Sequence, residues 1–181
     1  PPAGDATLAP QSRDGRYVLL IGTSLVGLSL YGPTLSTLSE SGGKSAVGLY
    51  MLGAGASFFL PYVATRNQPV TWGMADAWWY GGTHGALHGF LVLELGDTDP
   101  TSDQGLAAAS LGSLLEGGAF TLWAALTDAS PGMTNIMGKG ADFGAAFSLG
   151  GAACSLPDDS GDERSASAWA RVGAGGGFVA G

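Results

Sequence analysis

The chain has 181 residues and a formal net charge of −8, with seven basic residues against fifteen acidic ones. Nucleic-acid binding is excluded, because phosphate contacts need clustered lysine and arginine. The single cysteine, Cys154, excludes an internal disulfide or a cysteine-based metal cage, and it reads as a small buried hydrophobe. Charged residues make up 12% of the chain and glycine supplies 32 positions, whereas a soluble domain has about 25% charged residues.

The two ends of the chain differ from its middle. Residues 1–16 are polar and contain proline, which predicts an extended arm or linker. Residues 17–181 are predicted to form one helical bundle. The chain opens on Pro-Pro without an initiator methionine and closes on Gly181 within a glycine pattern. We therefore expect a piece of a longer polypeptide that is truncated at its C-terminal end.

Two uncharged stretches follow the arm. The first runs from Tyr17 to Ser39 and would measure roughly 34 Å as a helix, close to the thickness of a bilayer's hydrocarbon core. Pro33 is expected to kink this helix or to end it early. After a glycine-serine turn, the second uncharged stretch runs from Ser45 to Thr65. Both stretches predict apolar helices.

The third helix is predicted between Val70 and Leu95, with Thr71 as its N-cap. Small residues recur at every fourth place of this segment, at Gly73, Ala77, Gly81, Gly85 and Gly89. Beside them runs a polar stripe, Asp76, Tyr80, His84 and His88, with the same spacing. Positions four apart lie nearly above one another on a helix. One helix therefore carries a smooth groove for a neighbouring backbone and, next to it, a polar face.

Similar files of small residues predict three more helices. Thr101 and Gln104 have the spacing of a capping box at the start of the fourth helix. The segment 128–131 is expected to end the fourth helix, and its Pro131 suits the first turn of the fifth. The file on the fourth helix is Gly105, Ala109, Ser113, Gly117, Thr121 and Ala125. The file on the fifth helix is Gly140, Gly144, Ser148 and Ala152, and a sixth helix begins with the file Gly173, Gly177 and Gly181. The starts of the files are 32, 35 and 33 residues apart, which indicates a degenerate repeat of one helix and one turn.

The glycine content favours a membrane over water. Glycine costs about 1 kcal/mol per helical position in water relative to alanine, whereas small residues at this spacing allow close helix packing in lipid. Loops bearing arginine would lie on one side, which is expected to be cytoplasmic, although the orientation stays open. A soluble bundle would better explain the carboxylates inside the helices. An outer-membrane barrel is disfavoured, because residues 17–32 do not alternate apolar with polar.

Several polar and aromatic residues are candidate functional groups. His84 and His88 have a spacing that suits a metal, a haem or a chlorophyll-type pigment, or proton handling, but hydrogen bonds to neighbouring helices explain them as well. Asp76, Glu116 and Asp142 interrupt apolar helices and could mark an ion path. A structural role near helix ends, in an interface or beside Lys139 is the alternative. A further set, Trp72, Trp78, Trp79 and Tyr80, indicates an interfacial belt or core packing.

The run VTWGMADAWWYGGTHGALHG at 70–89, echoed by RSASAWARVGAGGGFVAG at 164–181, resembles uncharacterised glycine-rich helical proteins of bacterial envelopes. The resemblance covers residues 40–181 and implies a place in a bacterial envelope membrane, but no activity and no site residues.

The sequence thus predicts an all-α bundle of about five long helices and the start of a sixth, packed by glycine files and transmembrane. The expected function is that of a structural, non-enzymatic subunit whose partners are other membrane helices, copies of itself and lipid, with no nucleic acid. One alternative is a proton, ion or solute path that uses the carboxylates and histidines. The other is a cofactor-binding subunit that uses the histidines, although no cofactor is the first expectation.

Overall fold

The computed structural model describes residues 14–38, 42–94 and 103–155, and helices account for most of them. In chain order the helices are α1 (Gly15–Leu38), α2 (Lys44–Ala64), α3 (Trp72–Glu94), α4 (Asp103–Leu126) and α5 (Pro131–Ser155). The all-α fold predicted from the sequence is confirmed. Helix α1 begins two residues earlier than expected. The first thirteen residues of the predicted arm, the Thr101 cap and the predicted sixth helix lie outside the described residues.

Helix α1 continues past its proline. Its first part is α-helical to Val26, a π-helical turn covers Gly27–Tyr31, and α-helix resumes at Gly32–Leu38. The expectation that Pro33 could end this helix is therefore wrong. Proline has no N–H for the carbonyl four residues earlier, and the wider π turn just before it changes the hydrogen-bond register, with the Gly32 N–H bonded to the Gly27 carbonyl.

The helix ends agree with the residues expected to form them. The Thr71 hydroxyl accepts the Met74 N–H at 3.2 Å, which confirms the N-cap of α3. Asp128 closes α4 with a φ of 50°, a left-handed conformation that asparagine and aspartate tolerate better than most residues. The Ser130 hydroxyl then accepts the Met133 N–H at 3.2 Å, and Pro131 is the first residue of α5, as predicted.

Helix α3 lies at the centre of the described bundle. It packs extensively against α4 and also contacts α1 and α5, while α2 packs against α1. Helices α1 and α2 run antiparallel: the Arg16 guanidinium, at the start of α1, donates to the Tyr62 carbonyl at 2.9 Å and to the Thr65 hydroxyl at 3.2 Å, near the end of α2. The same guanidinium lies 4.7 Å from the centre of the Tyr62 ring. This contact holds the two helix ends together.

Three of the helices are long and apolar enough to cross a membrane. They are α1, α2 and α4, with mean hydropathies of 1.6, 1.5 and 1.2 over their most apolar windows. Only 11% of the most apolar stretch of α2 is buried within the protein. Helices α3 and α5 are not among these candidates in the described part of the chain. Helix α3 carries the polar stripe, and its contacts with three other helices cover much of its surface.

Candidate functional site: the central helix and its histidine–carboxylate pairs

The small-residue file of α3 lies directly against the backbone of α4. A Cβ atom added at Gly85 would strike the Gly112 carbonyl, and one added at Gly89 would strike the Ala108 carbonyl. At Gly81 the added Cβ would lie 2.7 Å from the Glu116 carbonyl oxygen. Such distances leave no room for any side chain. The file also includes Gly73, whose added Cβ would strike the Ala129 carbonyl, and the buried Ala77.

The small residues of α4 are shared between two neighbours. Its first four file members are buried: Gly105, Ala109, Ser113 and Gly117. Gly117 faces α3, because a Cβ added there would lie 3.2 Å from the Cα of Gly82. Ser113 faces α1, where its hydroxyl lies 2.9 Å from the Tyr31 hydroxyl. The file therefore lies where α1, α3 and α4 meet.

Helix α5 touches α3 through residues that the sequence pattern did not single out. Thr134, Gly138 and Ala141 are buried, and a Cβ added at Gly138 would strike the ring of Tyr80. The candidate packing residues Gly140 and Gly144 are half-buried. The side chain of Ser148 lies outside the described residues, as does that of Ala152. The packing role of this fifth file stays a prediction.

His88 pairs with a carboxylate of α4. Its Nδ1 lies 2.8 Å from Oε1 and 2.9 Å from Oε2 of Glu116, so one ring nitrogen is shared by both oxygens. Both side chains are partly shielded, with 25% and 30% of their surfaces exposed. Glu116 therefore lies in the α3–α4 interface and not near an end of α4. The pair links the two helices that pack most closely.

His84 pairs with a carboxylate of α5. Its Nε2 lies 2.8 Å from Oδ1 of Asp142, and its Nδ1 lies 2.8 Å from the Tyr80 carbonyl oxygen. A carbonyl oxygen only accepts, so Nδ1 carries a hydrogen. The bond from Nε2 to Asp142 then needs one further proton, held either by the imidazole or by the carboxyl group. These two contacts link α3 to α5 through the His84 ring. The partner of Asp142 is His84 rather than Lys139, three residues earlier.

The remaining polar residues of the stripe have different surroundings. The Tyr80 hydroxyl donates to Oδ1 of Asn135 at 3.1 Å, a second polar link from α3 to α5. Asp76 is half-buried and makes no hydrogen bond or ion pair with the residues that the structure describes. Trp78, expected in an aromatic belt or in the core, lies in the core with 9% of its surface exposed. Trp72 and Trp79 are exposed.

The two histidines, one turn apart, bind partners on different helices. Within ranges 14–38, 42–94 and 103–155, no group of three histidine, cysteine, aspartate or glutamate residues could hold a metal ion. Both ring nitrogens of His84 are hydrogen-bonded, so joint ligation of a metal or pigment would require His84 to release Asp142 or the Tyr80 carbonyl, whereas His88 bonds Glu116 through Nδ1 alone. The sequence singled out all four pairing residues but not their pairing, because the pairing depends on which helices meet. It missed Asn135, for which no local signal exists.

No protein-family model matches the chain, and neither a curated protein nor a solved structure shows significant similarity to it.

Proposed function

We propose that the chain is a structural subunit integral to a membrane, with α1, α2 and α4 crossing the bilayer and α3 packed among them. The observation that carries this proposal is the exposure of α2. The most apolar stretch of α2 has a mean hydropathy of 1.5, yet only 11% of that stretch is buried within the protein. Contiguous apolar surface of this extent is costly in water, at about 25 cal/mol per Å². Lipid hydrocarbon removes that cost, so a bilayer is the solvent that this helix fits.

Aromatic and basic residues at one end of the bundle support the same proposal. Tyr17, Tyr62 and Trp72 lie near the start of α1, the end of α2 and the start of α3, and they are 76%, 44% and 40% exposed. Arg16 lies at the same end, bonded to the carbonyl of Tyr62. Exposed tyrosine and tryptophan beside arginine are typical of a membrane–water interface. This end would be the cytoplasmic one by the distribution of basic residues.

The partners proposed for this subunit are lipid and the helices of other membrane chains or of a second copy. A bacterial envelope membrane is proposed on the sequence resemblance alone. The close α3–α4 pairing supplies a fixed frame, while the exposed sides of α1 and α2 supply apolar surface for contact with those partners. No catalytic group is part of this proposal.

Alkaline carbonate extraction of membranes from cells that express the full chain tests this function. We expect the chain to stay in the membrane pellet, because exposed apolar helices hold it in hydrocarbon rather than by charge. A known peripheral protein, released by the same wash, is the control. Release of the chain into the supernatant would contradict the membrane proposal.

A second candidate function is a proton path, and the histidine–carboxylate pairs favour it. His84, Glu116 and Asp142 lie near the middle of α3, α4 and α5, far from either helix end. Ionisable residues at that depth are costly in a bilayer and often belong to proton relays. The His84–Asp142 contact joins, at 2.8 Å, two side chains that can each take up and release a proton. Proton flux into vesicles that contain the purified chain tests this candidate.

A further inference from the structure

A cavity lies between α1, α2, α3 and α4. Its volume is about 310 Å³, at the lower end of the range for small-molecule pockets. Ala56 of α2 lines it with a single methyl group. Gly53, also in the lining, lies against the Tyr31 backbone of α1, so α1 and α2 are in close contact beside the cavity. The ring of Trp78 from α3 lines the cavity on the side of the bundle core.

The hydroxyl groups in the walls are already engaged within the protein. The Thr34 hydroxyl lies 2.8 Å from that of Ser110 and donates to the Leu30 carbonyl at 2.7 Å. The Ser57 hydroxyl donates to the Ala54 carbonyl at 2.6 Å. The other two hydroxyls of the lining are also bonded, Thr23 to the Leu20 carbonyl and Tyr31 to Ser113. A ligand would therefore be held by contact with carbon rather than by hydrogen bonds. Apolar cavities of roughly 150 Å³ already stay dry and bind apolar guests.

The mouth of the cavity opens among leucines. Leu35 of α1, Leu60 of α2 and Leu114 of α4 line it and are exposed. These three helices are the candidate membrane spans, and Leu114 lies near the middle of α4. In a bilayer the mouth would thus face hydrocarbon chains and not headgroups, which excludes a charged or polar ligand at this depth.

We propose that this cavity binds one acyl chain of a membrane lipid. The proposal rests on the membrane location proposed above. The cavity supplies an apolar wall at hydrocarbon depth, an opening toward the lipid and no free hydroxyl group that would favour water or a headgroup. The acyl chain enters beside Leu60 of α2 and Leu114 of α4 and ends against the ring of Trp78.

The test is photolabelling of the full chain in phosphatidylcholine vesicles that contain a phospholipid with a diazirine on its palmitoyl chain. We expect label on two peptides. One contains Phe59, which is 62% exposed on the surface of α2. The other contains Trp78, whose ring the probe would reach through the cavity. Ala56→Phe fills the cavity and is expected to reduce label on Trp78 to background, without changing label on Phe59.

Ala64→Phe is the matched control, because it makes the same change at an exposed position of α2 outside the cavity. It is expected to leave both labels unchanged. Leu35→Trp, at the mouth, is a second blocking variant in case Ala56→Phe does not fold. Label on Phe59 but not on Trp78 would overturn the acyl-chain site alone, as would Trp78 labelling that both blocking variants leave intact. Absence of label at both residues would overturn the membrane proposal as well.

Discussion

Replacing Gly85 with leucine is expected to separate α3 from α4 and to unfold the bundle. The backbone carbonyl of Gly112 occupies the space where even a Cβ would lie. Helix backbone, unlike a flexible side chain, cannot move aside. Overpacking against side chains costs about 1–3 kcal/mol, and a clash with backbone on both helices is expected to cost at least the upper end of that range. The free energy of unfolding, measured by denaturant titration in detergent micelles, checks this result.

Gly118→Leu is the matched control for that substitution. Gly118 lies on α4, and a Cβ added there has no neighbouring atom within 4 Å. The same change in side chain should therefore leave the free energy of unfolding nearly unchanged, or raise it slightly through the better helix propensity of leucine. Equal destabilisation by the two substitutions would show that α3 and α4 do not meet along the glycine file.

Replacing Glu116 with glutamine is expected to abolish proton flux if the second candidate function holds. Glutamine has nearly the same shape and can still bond Nδ1 of His88, so the α3–α4 interface should persist. It cannot, however, accept and release a proton as a carboxylate does. Flux of protons into vesicles containing the purified chain should fall from the wild-type rate to that of vesicles without protein.

Asp103→Asn provides the control for this experiment. It removes one carboxylate from the same helix, at its exposed first residue and away from both histidines. Flux is expected to be unchanged by it. If wild-type vesicles show no flux above the protein-free rate, or if Glu116→Gln conducts as well as wild type, the pairs are structural links between helices. The proton-path candidate is then wrong.

The helices and their ends were largely predictable from sequence because they depend on local chemistry. The uncharged stretches predicted α1 and α2, and the hydroxyl of Thr71 predicted the start of α3. Pro33 shows where this local reasoning fails. Of the two expected consequences, an early end is wrong, because the helix continues through a π turn at Gly27–Tyr31 and on to Leu38, whereas a kink stays a prediction.

The candidate site was predictable only in part. Spacing alone placed the two histidines on one face of α3. It could not show that His84 meets Asp142 of α5 while His88 meets Glu116 of α4, because that depends on how three helices pack. The same limit applies to α5, where the contacts with α3 run through Gly138 and its neighbours. Periodicity identifies a possible packing face, but the partner helix decides which face is used.

The most direct test of the membrane proposal is the environment of α2. Nitroxide labels placed singly at Leu52, Phe59 and Arg66, in a Cys154→Ala background and in lipid vesicles, report contact with oxygen, which concentrates in hydrocarbon, and with a water-soluble nickel chelate. The membrane proposal predicts high oxygen contact and low nickel contact at Leu52 and Phe59, and the reverse at Arg66, beyond the end of the helix. High nickel contact at all three positions would contradict it and would place the exposed apolar side of α2 in water or against another protein.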